Sequence, residues 1–264
     1  MIQKRYEGFL KTAPLWKGNS VFNLFQIEIH SEPDKISFYI NEKLRLGKYV
    51  ECLVSYELKQ QKDISILAEN IQIQKDKTTL GELDCLLLKN NTPIHLEIVY
   101  KFYLYDSAVG ENEIEHCIGP NRKDSLKEKL QKLKNKQLPL LYTIECENYL
   151  NKLKMHSKDI SQQVCFKAQL FVPFSKQNLH LKTLNTDCIV GFYIRQNQLD
   201  NFRECKFYIP SKKDWLIIPH THVKWLNFIS FKDISQIYVE KKFSPMCWVK
   251  QKNGTIKKMF LVWW

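Results

Sequence analysis

The stretch Gly81–Lys101, GELDCLLLKNNTPIHLEIVYK, puts three carboxylates, an imidazole and an ammonium close together. Two short apolar runs flank Lys89-Asn90-Asn91-Thr92, the pattern of a β-hairpin. Side chains alternate across a strand. Glu82 and Asp84 therefore share one face of the first strand, and His95, Glu97, Val99 and Lys101 share one face of the second. The other face is apolar (Leu83, Cys85, Leu87; Ile94, Leu96, Ile98, Tyr100). If the two charged faces coincide, they supply the hard oxygen ligands that Mg²⁺ or Mn²⁺ needs. Such an ion stabilises charge on a transferring phosphoryl group and lowers the pKa of a bound water. Asp84 and Glu97 are the expected ligands, the Ile98 carbonyl adds an oxygen, and Lys101 assists the attacking water. Asp84, Glu97 and Lys101 make up the expected catalytic set. Glu82 and His95 are placed just behind it, as an accessory acid and a water- or phosphate-ordering imidazole. The competing reading is a solvated hairpin face carrying ordinary alternating charge.

The surrounding elements decide between these readings. Residues 41–60 repeat apolar side chains at Val50, Leu53, Val54 and Leu58 with no proline, which predicts a helix. Glu51 lies beside that stripe and faces the hairpin acids as a further metal ligand, with Gly47 one turn earlier leaving room for approach. ISILAENIQIQ (64–74) predicts a strand, and Ser125-Leu-Lys-Glu128 is a capping box opening a second helix. A third helix is expected near 145–156, and VCFKAQLFVPF (164–174) returns as a strand. The order α-β-β-β-α-(α)-β defines an α/β core over 41–175, preceded by an extension (1–40) packed on it. Residues 176–264 form a β-rich lobe of short aromatic runs, among them CIVGFYIR, CKFYIP, WLIIP, QIYVE, CWVK and MFLVWW.

The chain has 264 residues, 44% of them hydrophobic, enough for a sizeable core, and a net charge of +12. Between Asn121 and Lys136, Arg122, Lys123, Lys127 and four further lysines face only Asp124 and Glu128. Lys241–Lys258 contains six lysines and no acid. Such patches suit a polyanion, nucleic acid above all, although lysine-rich composition alone would also produce them. Arg122 and Lys123 open the second helix, where amides and basic side chains can jointly hold a phosphate. Lys127 and Gln137 extend that candidate nucleic-acid surface. Phosphate-binding, dinucleotide and serine-hydrolase loop motifs are missing, so no nucleotide cofactor is expected. The eight cysteines form no Cys-x-x-Cys pair and read as buried thiols in a reducing compartment. With neither an apolar leader nor a run of membrane-spanning length, the expectation is a cytoplasmic protein with no membrane partner.

The predicted order resembles the PD-(D/E)XK nuclease-like superfamily. More narrowly, the chain is similar to an uncharacterised bacterial domain-of-unknown-function family within it. The likeness is carried by Leu46-Gly-Lys-Tyr-Val-Glu51, Leu80-Gly-Glu-Leu-Asp84, His95-Leu-Glu97-Ile-Val-Tyr-Lys101-Phe-Tyr-Leu104, Gly119-Pro-Asn-Arg-Lys-Asp124 and Gln137-Leu-Pro-Leu140. It covers residues 40–140 well and 165–264 more loosely. The resemblance implies a restriction-endonuclease-like core and metal-dependent phosphodiester hydrolysis of nucleic acid, with DNA the expected polymer. It matches Glu51 to the first-helix acid, Asp84 to the hairpin aspartate, Glu97 to the second metal-binding acid and Lys101 to the catalytic lysine. The superfamily places its lysine two residues after the acid, where this chain has Val99. Lys101 lies about 6.6 Å further along the strand. A catalytically silent module binding nucleic acid or protein through the same fold is therefore the alternative, and a structural protein with a hairpin salt-bridge network the third. Pro33-Asp34 and Glu240-Lys-Lys242 match the motif by letters but lack the helix-then-hairpin context.

Overall fold

A computed structural model describes residues 1–18, 20–29 and 35–264; Pro33-Asp34 lies outside them. The helices are α1 (Ile2–Leu10), α2 (Leu46–Gln60), α3 (Glu113–His116), α4 (Leu126–Lys132), α5 (Ile144–Lys152) and α6 (Phe228–Glu240). The strands are β1 (Ile64–Lys75), β2 (Thr78–Lys89), β3 (Thr92–Tyr105), β4 (Cys117–Ile118), β5 (Ser161–Pro173), β6 (Ile189–Arg195), β7 (Lys206–Tyr208), β8 (Met246–Lys250) and β9 (Ile256–Val262). The chain is thus a mixed α/β protein. It divides into two compact units, each discontinuous in sequence. The first, called here the hairpin unit, comprises Pro14–Tyr100 and Glu128–Lys167; the second comprises Met1–Ala13, Lys101–Lys127 and Ala168–Trp264.

In the hairpin unit the strand order is β1-β2-β3-β5, with β1–β2 and β2–β3 antiparallel. The β2–β3 turn pairs Lys89 with Thr92, and Asn90 and Asn91 both adopt positive φ (49° and 63°). Two consecutive left-handed residues make a type I′ turn, whose twist matches the strands it joins and which asparagine tolerates better than most residues. The turn fixes the register. Leu86 lies opposite His95 and Cys85 opposite Leu96, so alternation puts His95 and Glu97 on the same face as Asp84 and Glu82. The charged faces of the hairpin do coincide. Helix α2 forms because its buried side, Tyr49, Val50, Leu53, Val54 and Leu58, follows the helical period without a breaker. Ile71, Ile73, Leu83, Leu86, Leu140, Leu141, Cys146 and Leu150 build the apolar core of this unit.

After α4 the helix widens into a π turn (Leu133–Gln137) and then tightens into a 3₁₀ turn (Leu138–Tyr142) with proline near its start. Such irregularity re-aims side chains relative to a regular helix. Here its effect is on Gln137, described below.

In the second unit β5-β6-β9 run parallel and β9-β8-β7 antiparallel, while β4 pairs with β3. Phe192, Ile194, Phe202, Phe207, Phe231, Val249, Met259 and Leu261 pack an apolar core. Two of the expected β runs are not strands. QIYVE lies in α6, whose inward residues Phe231 and Ser235 are a helical turn apart; the period-2 alternation of that run was too short to outweigh the helical spacing. WLIIP enters through a 3₁₀ turn, Lys213–Leu216. Trp215 and Trp248 are buried, as expected of core tryptophans. All eight cysteines are free thiols, six of them buried.

One buried charge in this unit has a measurable consequence. Lys258 on β9 is 5% exposed, and its Nζ donates to Gln169 Oε1 (2.8 Å) and to the Trp215 carbonyl (2.6 Å). Burial pushes its pKa down from 10.5 to about 7. Between pH 7 and 10.5 the unfolded chain then holds a proton the folded chain has lost, so stability rises with pH. Below pH 7 both states are protonated and this contribution is flat. Urea denaturation of wild type and Lys258→Met at pH 7 and pH 9 should show the wild type gaining about 2 kcal/mol relative to the variant.

Candidate metal centre

Three carboxylates of the hairpin unit converge. Oxygen atoms of Glu51 from α2 and of Glu82 and Asp84 from β2 all lie within 4.8 Å of one another. All three side chains are partly buried, and together they line one part of a cavity of about 540 Å³ between α2 and the strands. Asp84 is oriented by the Ile98 backbone N–H, which donates to its Oδ2 at 2.8 Å. Ile98 also lines the cavity.

β1 contributes a constraint of its own. The register pairs Glu69 with Cys85 and Ile71 with Leu83, which puts Asn70 opposite Asp84. Asn70 has φ +54° in the middle of this strand. A left-handed residue inside a strand costs of order 1 kcal/mol or more and recurs at functional sites. Asn70 Oδ1 thereby accepts from Lys48 Nζ at 2.8 Å.

Lys48, one turn before Glu51 on α2, is the residue that sequence reasoning passed over. Its ammonium donates to Glu51 Oε2 at 2.6 Å, to Glu82 Oε1 and to Asn70. Burial works against its charge, but the hydrogen bonds and charges of Glu51 and Glu82 outweigh that and raise its pKa. The carboxylates respond in kind. Desolvation raises Glu51, with the Lys48 hydrogen bond opposing it. Asp84 is pushed up to about 7, first by desolvation and then by the charge of Glu97, against the pull of the Ile98 N–H. Desolvation and the neighbouring carboxylate charges disfavour the ionised form of Asp84, and the Lys48 charge opposes them. The signal available in the sequence was the Gly47-Lys48 pair one turn before an acid. It became informative only once β1 and β2 were known to face that turn.

Glu97 and His95 sit deeper, both fully buried. Glu97 Oε1 is 3.1 Å from His95 Nε2, and Gln137 Nε2 donates to Glu97 Oε2 at 2.5 Å. Gln162 Nε2 lies 3.1 Å from His95 Nδ1 and also donates to the Leu138 carbonyl. An amide N–H directed at Nδ1 assigns the imidazole proton to Nε2, where it faces Glu97. Lys129 Nζ donates to Gln137 Oε1 at 2.7 Å and closes the chain of contacts. The π turn after α4 aims Gln137 inward at Glu97. Both oxygens of Glu97 are thus engaged by protein groups, and the carboxylates whose oxygens converge are Glu51, Glu82 and Asp84.

The remaining expected residues belong to the second unit. Lys101 Nζ donates to Asp124 Oδ2 at 2.6 Å. Arg122 donates to Asp106 Oδ2 at 2.7 Å, and its guanidinium lies 3.9 Å from the Trp264 ring centroid. Lys127 pairs with Glu115 at 2.7 Å, while Lys123 is exposed. These basic side chains hold local structure through named acids, Lys123 excepted, and none of them lines the carboxylate cavity.

The family model described as "Domain of unknown function (DUF1853)" matches residues 24–262, and the chain belongs to that family. No curated protein matches the chain, and no solved structure does. Among the described residues, no helix is long and apolar enough to cross a membrane.

Proposed function

We propose that this protein is a metal-dependent nuclease of the PD-(D/E)XK type, acting in the cytoplasm on nucleic acid, with DNA the first polymer to test. The observation that carries the reading is the convergence of Glu51, Glu82 and Asp84 on an open cavity of a strongly basic chain. Apart from the short α3 and β4 that follow β3, the order α2-β1-β2-β3-α4-α5-β5 is the one the resemblance implies, and it supports the placement. Three carboxylates are the donor set of a hard divalent cation. Mg²⁺ or Mn²⁺ held by them would stabilise charge on a phosphoryl oxygen. The chain's own residues do the rest. The Ile98 N–H fixes the Asp84 carboxylate. Lys48 supplies an ammonium beside the reacting phosphate, in the role Lys101 was expected to fill, and Lys132, Lys134 and Lys136 offer exposed charge to the backbone.

Lys48 also favours a second reading. Its bonds to Glu51 and Glu82 make it a built-in counter-ion, which suits a catalytically silent module that binds nucleic acid by charge alone. On the nuclease reading the ammonium competes with the metal. Lys48→Met is then expected to tighten Mn²⁺ binding about tenfold in a calorimetric titration, one like charge less being worth roughly 1.4 kcal/mol. A panel of linear, nicked, branched and single-stranded DNA and of RNA, each with Mg²⁺, Mn²⁺ or EDTA, separates the two readings. Metal-dependent cutting supports the nuclease. Salt-sensitive binding without cutting supports the silent module.

A further inference from the structure

The cavity that holds the carboxylates continues along α2 to an aromatic wall. Positions 48, 51, 52, 55, 56 and 59 all line it. Their spacing places them on one face of the helix, opposite the buried Val50, Leu53 and Val54. From Glu51 to Tyr56 the helix advances about 7.5 Å, at ~1.5 Å per residue. There the Tyr56 ring stacks with Phe38, centroids 4.9 Å apart and planes 25° from parallel. Both rings are half-buried and both line the cavity. Lys59 from α2, exposed and ion-paired with Glu69 at 3.4 Å, also lines the cavity, while Asn70 and Gln72 stand opposite Asp84 and Glu82 at its carboxylate end.

The dimensions restrict what enters. At about 540 Å³ the cavity is within the usual range for one small ligand (~300–1,000 Å³). A base inside a duplex reaches such a cavity only after leaving its stack, which costs a few kcal/mol; an unpaired nucleotide has no such cost. An aromatic surface favours any unpaired base, because every base has a π-face. We infer that this protein takes its nucleic acid as an unpaired strand, with one nucleobase against Tyr56 and Phe38 and the adjoining phosphodiester at Glu51, Glu82 and Asp84. The phosphodiester end of this inference rests on the nuclease reading above; the base end rests on the aromatic wall. DNA and RNA single strands share the chemistry that the wall recognises.

The test is fluorescence anisotropy on the full chain, with Ca²⁺ replacing Mg²⁺ and labelled oligothymidylate, oligouridylate and a blunt duplex of equal length as probes. At least one single strand should bind tenfold or more tightly than the duplex. Tyr56→Ala and Phe38→Ala should each weaken that binding about tenfold, while Tyr56→Phe, which keeps the ring, should bind as wild type. Equal binding of duplex and single strand overturns the inference. So does undiminished binding by both alanine variants, or a mononucleotide that competes as well as the oligomer. Duplex cleavage lost in Asp84→Asn but untouched in Tyr56→Ala would remove the base subsite and leave the nuclease reading standing. Tyr56-dependent single-strand binding without any cleavage would keep the subsite and remove the hydrolysis.

Discussion

Asp84→Asn should reduce metal-dependent cleavage by roughly 100- to 1,000-fold, the scale of losing one group that stabilises transition-state charge, and at the same time stabilise the fold. The asparagine keeps an acceptor for the Ile98 N–H, so local geometry survives. What it removes is a carboxyl whose pKa burial and the Glu97 charge have raised from 3.8 to about 7. The folded state holds that proton more tightly than the unfolded state, so stability falls as pH rises from about 4 to 7 and stays low above. At pH 8 the variant should therefore exceed wild type by on the order of 4 kcal/mol in urea denaturation. A gain in stability coupled to a loss of activity is the signature of a site kept electrostatically strained for its task.

Glu97→Ala should behave in the opposite way. Glu97 is fully buried, and its two oxygens engage His95 and Gln137. Removing it leaves buried donors on both partners without acceptors, a loss of about 3 kcal/mol or more. The expected result is a lower urea midpoint, with Glu97→Gln recovering part of the loss through its remaining carbonyl. If Glu97→Ala instead kept its stability and lost only metal-dependent cleavage, Glu97 would be a ligand, as the sequence pattern implied, and the assignment of Glu82 would have to yield. The pair of variants separates a strained functional acid from a structural one on the same hairpin face.

The hairpin was legible because its signals were local. The Asn-Asn turn, the alternation of apolar and charged residues and the helix before it all lie within the range that periodicity reads. Coincidence of the two charged faces followed from the turn. Depth along the face was not legible. Alternation places Asp84 and Glu97 on one side of a strand pair, but it cannot say that Gln137, delivered by a π turn, reaches Glu97 while Glu82 stays at the cavity. Lys48 was missed for a related reason. A lysine on a helix is ordinarily solvated, and only the left-handed Asn70 and the approach of Glu82 turn it inward. Lys101 shows the converse. Its ammonium is committed to Asp124 twenty-three residues on, a tertiary pairing no strand pattern encodes. In the second unit, QIYVE went to a helix because its few alternating residues belong to a longer stretch with helical spacing.

A crystal grown or soaked with Mn²⁺ and recorded at the manganese absorption edge would test the central claim most directly. The account predicts an anomalous peak about 2.1 Å from carboxylate oxygens of Glu51, Glu82 and Asp84, with the Lys48 ammonium displaced from them. A map without that peak, in which Lys48 still bridges Glu51 and Glu82, would contradict it and leave the acids as one half of an internal salt-bridge network.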